Sequence, residues 1–187
     1  MSINVRETTL DEIKVRLSEM NTDLNKINYL EAALGTGGHT LEIKRFLYGE
    51  LSVLLESVKM VERAAKTIAK KAELEPMKKD KIEGYLKAAE LYSMVGKVEE
   101  ADEMFRRGAR DTTEMDHGRI VLARKNIYMK FAKELESKLK RASALKFYER
   151  LFKMKLDDTE KLPVKNSLIS LYKALGLFSE ARMIEGM

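Results

Sequence analysis

The sequence predicts an all-α protein, built as a stack of about four helical hairpins behind one N-terminal amphipathic helix. The 187 residues include two Pro and ten Gly, beside abundant Leu, Ala, Lys and Glu, and this composition favours helix. Alanines with bulky apolar residues at fixed offsets recur at spacings of 37, 43 and 37 residues, at Ala64, Ala101, Ala144 and Ala181. Such a period is typical of stacked hairpins that bury a shared core.

The sequence pattern over residues 1–34 predicts the N-terminal amphipathic helix. Thr9 and Glu12 have the spacing of a capping box, so we expect the helix to begin near Thr9. Apolar residues then follow at alternating steps of three and four: Leu10, Ile13, Leu17, Met20, Leu24 and Ile27. This narrow seam is of the coiled-coil type, and it suits either a cover for the open end of the stack or a dimer contact. Because the seam spans only about two and a half heptads, we expect the covering role.

Residues 35–40 are expected to form a Gly-rich connector. Gly35, Gly37 and Gly38 interrupt the helical pattern, and Thr40 stands where the next helix needs an N-cap. A Gly-rich loop ahead of a helix can bind phosphate through backbone N–H groups. This segment lacks the Gly-Lys-Ser/Thr ending and the preceding strand of a P-loop, so we expect a flexible connector.

Residues 41–187 are expected to form a helical-repeat array that is one continuous domain. The hairpins are expected at about 41–76, 79–111, 118–155 and 160–187. Gly96 and Gly176 mark two of the turns, whereas Lys59 and Leu139 stand at the corresponding positions of the other two. The missing glycine in the first hairpin leaves open whether that segment is a hairpin or one long helix.

The second hairpin carries the packing pattern most completely. Its aromatic, small and turn positions are Tyr85, Ala88, Ala89, Tyr92, Gly96, Ala101, Phe105 and Gly108. This pattern resembles the tetratricopeptide repeat over about residues 45–187. The longer and irregular period is similar to that of the soluble NSF attachment proteins and of uncharacterised archaeal helical-repeat proteins. The resemblance implies a right-handed α-solenoid that binds other proteins, with the first helix of each hairpin lining a concave groove.

The sequence carries no local signature of catalysis or metal binding. It contains no Cys, and His39 and His117 lie far apart, so the ligand set of a zinc site is missing. Glu114, Asp116 and His117 form a small polar cluster, which we interpret as a solvated connector. A Gly-x-Ser-x-Gly nucleophile motif is also absent. We therefore expect a protein that is not an enzyme and that binds no metal or cofactor.

Composition also indicates a location. Residues 1–10 contain no apolar segment of a signal peptide, and no apolar run approaches the roughly 18 residues of a membrane helix. We therefore expect a cytoplasmic protein that does not insert into membranes. Cys, Trp and Gln are absent while Lys and Glu are abundant, which is typical of proteins from thermophiles.

One stretch carries the positive excess of the chain. Residues 118–155 contain 12 basic and 3 acidic side chains, a net charge of +9, against +5 for the whole chain. On the predicted first helix of this hairpin, one face is shared by Asn126, Lys130, Lys133 and Ser137. Three further cations are expected at the hairpin tip: Lys138, Lys140 and Arg141.

We predict that these residues bind a partner protein. The resemblance places Lys130 and Lys133 in the groove, where their charge would attract an acidic ligand, and Met94 and Met129 offer adaptable apolar contacts. The predicted function is a non-enzymatic scaffold or adaptor that binds a helical or acidic segment. Three alternatives stay open: a nucleic-acid-associated protein that uses residues 118–155, a basic run that is only a solvated helix surface, and a homodimer through an exposed end of the array.

Overall fold

The computed structural model describes residues 5–110 and 112–187. Within these residues the chain forms ten α-helices and no strand, which confirms the all-α class. The helices are α1 (Leu10–Ser18), α2 (Asp23–Gly35), α3 (Leu41–Ser57), α4 (Val61–Leu74), α5 (Lys78–Met94), α6 (Val98–Gly108), α7 (Glu114–Ser137), α8 (Arg141–Phe152), α9 (Asp158–Ala174) and α10 (Phe178–Glu185).

The helices are grouped in two compact units. Described residues 5–95 and 100–110 form the first unit, and 96–99 with 112–187 form the second. Each unit is compact by itself, and the single continuous domain expected from the sequence stays a prediction. In the first unit α3 packs on α2 and α4, and α4 packs on α5. In the second unit α8 packs on α7 and α9, and α9 packs on α10.

The N-terminal segment forms two helices, so the prediction of one helix over residues 1–34 is wrong. The start is as predicted, since Thr9 forms the complete capping box at α1. Helix α1 ends at Ser18, and the Thr22 hydroxyl then accepts a hydrogen bond from the backbone N–H three residues later and caps α2. Polar side chains such as Thr22 compete with the helical backbone, and a regular apolar seam does not reveal that competition. Residues 1–4 lie outside the described part of the chain.

The Gly-rich connector lies between α2 and α3. Gly37 has a φ of 76°, in the left-handed region that glycine adopts without strain. The Thr40 hydroxyl accepts a hydrogen bond from the N–H of Ile43 at 3.3 Å, which confirms the predicted N-cap. The segment that follows is a helical hairpin rather than one long helix, because α3 ends at Ser57 and α4 begins at Val61.

The turns within the four hairpins each place one residue in the same left-handed conformation. The φ angles are 62° at Lys59, 77° at Gly96, 57° at Leu139 and 77° at Gly176. The residues that replace glycine in two of the hairpins therefore keep the backbone geometry of the glycine turns. This geometry supports the alignment of the hairpins from the sequence.

The turns after α3, α7 and α9 also share one hydrogen-bond pattern. The backbone N–H two residues after the helix cap donates to the carbonyl five residues earlier: Met60 to Leu55 at 2.8 Å, Lys140 to Leu135 at 2.9 Å, and Leu177 to Tyr172 at 2.8 Å. The left-handed residue between them donates to the third carbonyl before it, at 2.9–3.1 Å. These are Schellman motifs, which end a helix and satisfy carbonyls that have no partner within it.

Small residues allow close helix contacts in the core of the first unit. Ala64 and Ala101 are completely buried. A Cβ atom at Gly84 of α5 would lie 2.7 Å from the Cβ of Ala72 in α4, which is too close for two carbon atoms. Gly84 is therefore required by packing, and it sets the approach of α4 and α5.

The core of the second unit combines small and aromatic side chains. Ala144 and Ala181 are completely buried, like their counterparts in the first unit. The rings of Tyr128 in α7 and Phe147 in α8 are both fully buried and meet edge to face, with centroids 5.3 Å apart and an interplanar angle of 71°. This contact packs α7 against α8 through the side of α7 that carries Tyr128.

Candidate protein-binding surface

One face of α7 is exposed along its C-terminal half. It carries four residues at three- and four-residue steps, here called the α7 stripe: Asn126, Lys130, Lys133 and Ser137. All four are exposed, whereas Tyr128, Phe131 and Leu135 are buried on the opposite side of the helix. The α7 stripe therefore points away from the core of the second unit.

The cations on and near the α7 stripe differ in their surroundings. The Lys130 ammonium lies 5.0 Å from the centroid of the Phe131 ring. Lys133 forms no ion pair with any residue that the structure describes. Lys138 instead donates a hydrogen bond to Glu134 Oε1 at 2.5 Å, which lowers the pKa of the Glu134 carboxyl. Lys133 thus offers a less compensated positive charge than Lys138.

The predicted tip residues lie at the turn between α7 and α8. Lys138, Lys140 and Arg141 are all exposed there. Lys140 and Arg141 form no ion pair within the described ranges. The Ser137 hydroxyl, at the end of the α7 stripe, donates to the carbonyl oxygen of Glu134 at 2.8 Å. Because its hydroxyl proton is already used, Ser137 is better suited to accept a hydrogen bond than to donate one.

Helix α9 is tied to α7 by a partly buried ion pair. Lys125 Nζ lies 2.7 Å from Glu160 Oε1, and the two side chains are 20% and 25% exposed. Glu160 also completes the capping box of α9, in which the Asp157 side chain accepts from its backbone N–H. The ion pair therefore links the middle of α7 to the first turn of α9.

A tyrosine of α8 strengthens the same region. The Tyr148 hydroxyl donates to Glu136 Oε2 of α7 at 2.7 Å. Burial, assisted by the neighbouring Glu136 carboxylate, raises the pKa of Tyr148 to about 12, against a partial offset from Ser167 of α9. Tyr172 of α9 makes a similar bond to Glu149 at 2.8 Å. These contacts hold α7, α8 and α9 together beneath the α7 stripe.

The sequence prediction missed apolar residues on the exposed faces of α7 and α9. Leu122 is 53% exposed, and it precedes Asn126 by four residues on the same face of α7. Leu162 of α9 is 61% exposed, and Asn166 follows it at the same interval. Leu122 could have been predicted to share the exposed face of Asn126, because the two residues are four positions apart on one helix.

The two predicted methionines have different environments. Met129 lies on α7 and is half-buried, so only part of its side chain is available for contact. Met94 is 55% exposed and ends α5 in the first unit, whereas the other predicted site residues belong to the second.

The basic residues of the hairpin are divided between its two helices. On α7 the exposed cations are Arg119, Lys130 and Lys133, and on α8 they include Arg141 and Lys146. Because α7 and α8 bury facing sides against each other, their exposed sides are separated by the core of the unit.

The aromatic side chains of the hairpin formed by α7 and α8 are mostly buried: Tyr128, Phe131, Phe147 and Tyr148, with Phe152 half-buried. They are not placed to stack on bases.

The polar cluster near His117 lies in the first turn of α7. The Thr113 hydroxyl caps this helix by accepting from the N–H of Asp116 at 3.2 Å, and it also contacts the Asp116 carboxylate at 3.0 Å. Carboxylates in a first turn are stabilised by the helix dipole, which accounts for Glu114 and Asp116. Across residues 5–110 and 112–187, no three His, Asp or Glu side chains are grouped in a way that would hold a metal ion.

No protein-family model matches the chain, and no curated protein is significantly similar to it in sequence. None of the helices in the described ranges has both the length and the apolar character needed to cross a bilayer.

Proposed function

We propose that this chain is a tetratricopeptide-like right-handed α-solenoid that acts as a non-enzymatic scaffold or adaptor. In this proposal the α7 stripe binds a helical or acidic segment of a partner protein in a concave groove. Lys130 and Lys133 supply the positive charge, and the exposed side chain of Leu122 supplies apolar contact.

The repeat interpretation is supported by equivalent positions in the four hairpins. The four alanines that align in the sequence are all completely buried: Ala64, Ala101, Ala144 and Ala181. The four turns share the left-handed residue described above, including the two that lack glycine. Such agreement is expected of repeated supersecondary units that stack on their neighbours.

The proposed binding surface is supported most directly by the exposure of the α7 stripe. Its four side chains lie opposite the core, and Lys133 has no ion-pair partner in the described part of the chain. Asn126 supplies hydrogen-bonding capacity, and Leu122 adds apolar area on the same face. A mixed surface of this kind suits an amphipathic acidic segment, because apolar contact gives affinity and charge steers the encounter.

The proposal is tested by affinity capture of the full chain from its native lysate, with and without nuclease. Wild type is compared with K130E/K133E and with K153E/K155E, which has the same net charge but alters exposed lysines away from the α7 stripe. We expect wild type and K153E/K155E to retain one discrete protein after nuclease treatment, and K130E/K133E to lose it. Equal capture by the wild type and by both variants would contradict the role of the α7 stripe.

Nucleic acid is the alternative partner, favoured by the net charge of +9 on residues 118–155. The burial of the hairpin aromatics and the division of its cations between two exposed sides weigh against it. If nucleic acid co-purifies and nuclease removes every captured protein, this alternative replaces the adaptor function. Its binding would also fall steeply with salt, because bound cations displace counterions from phosphate.

A further inference from the structure

A cavity of about 430 Å³ lies between α2, α3 and α4 in the first unit. Its apolar surface is formed by Leu34 of α2 together with Leu51 and the Tyr48 ring of α3. Cations of α4 border the same space at three- and four-residue steps: Arg63, Lys66 and Lys70. The volume falls within the range of small-molecule sites, and the combination of an apolar wall with a few polar groups is typical of them.

The charge around this cavity is not balanced. Glu31 of α2 lines it as well, but its carboxylate pairs with Arg63. Lys66 and Lys70 form no ion pair with any residue in the described ranges. Two cations four residues apart on a helix repel each other. An anion bound between Lys66 and Lys70 would remove that repulsion.

An aromatic ring lies beside one of these cations. The Lys70 ammonium is 5.9 Å from the centroid of the Tyr48 ring. The ring is half-buried, and it lines the cavity together with the buried side chain of Leu51. One side of the cavity therefore offers an apolar and aromatic surface next to a positive charge.

We propose that this cavity binds a small organic anion. The anionic group, a phosphate or a carboxylate, lies between Lys66 and Lys70, and a planar or apolar body contacts Tyr48, Leu34 and Leu51. The site belongs to the first unit and is separate from the α7 stripe. It therefore adds a ligand-binding activity to the proposed protein-binding function and does not depend on it.

The test is a titration of the full-length ¹⁵N-labelled chain, followed by backbone amide shifts. Phenyl phosphate and benzoate are the two anionic probes. Inorganic phosphate and phenol are the controls, because inorganic phosphate has the anionic group without the planar body and phenol has the planar body without the anionic group. We expect one or both anionic probes to shift amides near residues 31–35, 48–51 and 63–70 in a saturable manner. We expect phosphate and phenol to bind at least about tenfold more weakly, since each loses one set of contacts.

Three variants assign the binding to the cavity. K66A/K70A is expected to bind the anionic probe about tenfold or more weakly than the wild type does, because charged hydrogen bonds are lost. K66R/K70R is expected to retain binding of the anionic probe. Lys79→Ala, which changes an exposed lysine of α5 outside the cavity, is also expected to retain it. Shifts that do not saturate, or an equal loss in K66A/K70A and Lys79→Ala, would show non-specific surface binding and overturn the proposal.

Discussion

Lys59 and Leu139 hold left-handed backbone conformations that glycine adopts at the matching positions of the other two hairpins. Their φ angles are 62° and 57°. For a residue with a Cβ atom this region costs roughly 1–2 kcal/mol. Glycine avoids that strain, but it loses more backbone entropy on folding, by roughly 0.5–1 kcal/mol. Replacement by glycine should therefore stabilise each turn by about 1 kcal/mol.

Little packing is lost in either replacement. Leu139 is 73% exposed, and Lys59 is also exposed. The backbone hydrogen bonds of both Schellman motifs remain available to glycine. Because the two turns lie in different units, the effects should add, and Lys59→Gly with Leu139→Gly should stabilise the chain by about 2 kcal/mol. For a chain of this length, that corresponds to an increase in Tm of about 4–8 °C.

The assay is urea and thermal unfolding of the single and double variants, followed by far-ultraviolet circular dichroism. Gly96→Ala is the matched control, because a Cβ atom there meets nothing within 4 Å and introduces backbone strain alone. It should destabilise the protein by about 1 kcal/mol. The reasoning is refuted if the two glycine substitutions leave stability unchanged or lower it while Gly96→Ala is tolerated.

Further predictions concern packing and titration. Gly84→Ala should destabilise the first unit by roughly 1–3 kcal/mol in urea unfolding, because its Cβ would lie 2.7 Å from that of Ala72. Ala101→Leu should cost a similar roughly 1–3 kcal/mol by overpacking, and a negligible change would contradict the repeat alignment. Burial raises the pKa of Tyr148 and of Tyr172 to about 12. The stability that depends on their protonated forms should be complete below about pH 10 and lost as pH rises toward 12, and Tyr→Phe variants should reduce this loss.

Local sequence signals were the most reliable guides to the fold. Thr9 and Thr40 were identified as helix starts from residue type and spacing, and both hydroxyls accept the expected backbone hydrogen bonds. The turns at Lys59 and Leu139 were located by alignment with the glycine turns, and the backbone takes the same conformation at all four. These features could be predicted because they depend on residues close together in the chain.

The errors arose where local signals compete or where contacts are distant. The apolar seam continued through Thr22, so periodicity alone could not show that the N-terminal helix divides there. Gly84 carries no turn signal in the sequence, and its importance follows only from the position of Ala72 on the neighbouring helix.

The candidate surface shows the same distinction. The shared face of Asn126 and Lys133 follows from helical spacing, and so does the pairing of Lys138 with Glu134 four residues earlier. The ion pair between Lys125 and Glu160 joins residues 35 positions apart, and only the tertiary structure brings them together.

The central claim is that the α7 stripe contacts a partner protein, and site-specific crosslinking tests it most directly. p-Benzoyl-phenylalanine is placed at Asn126 in the full chain, and at Lys153 after α8 as a matched exposed control. We predict that irradiation in native lysate gives one discrete protein adduct from position 126, unchanged by nuclease, and no such adduct from position 153. The same adduct from both positions, or one from position 153 alone, would contradict the account.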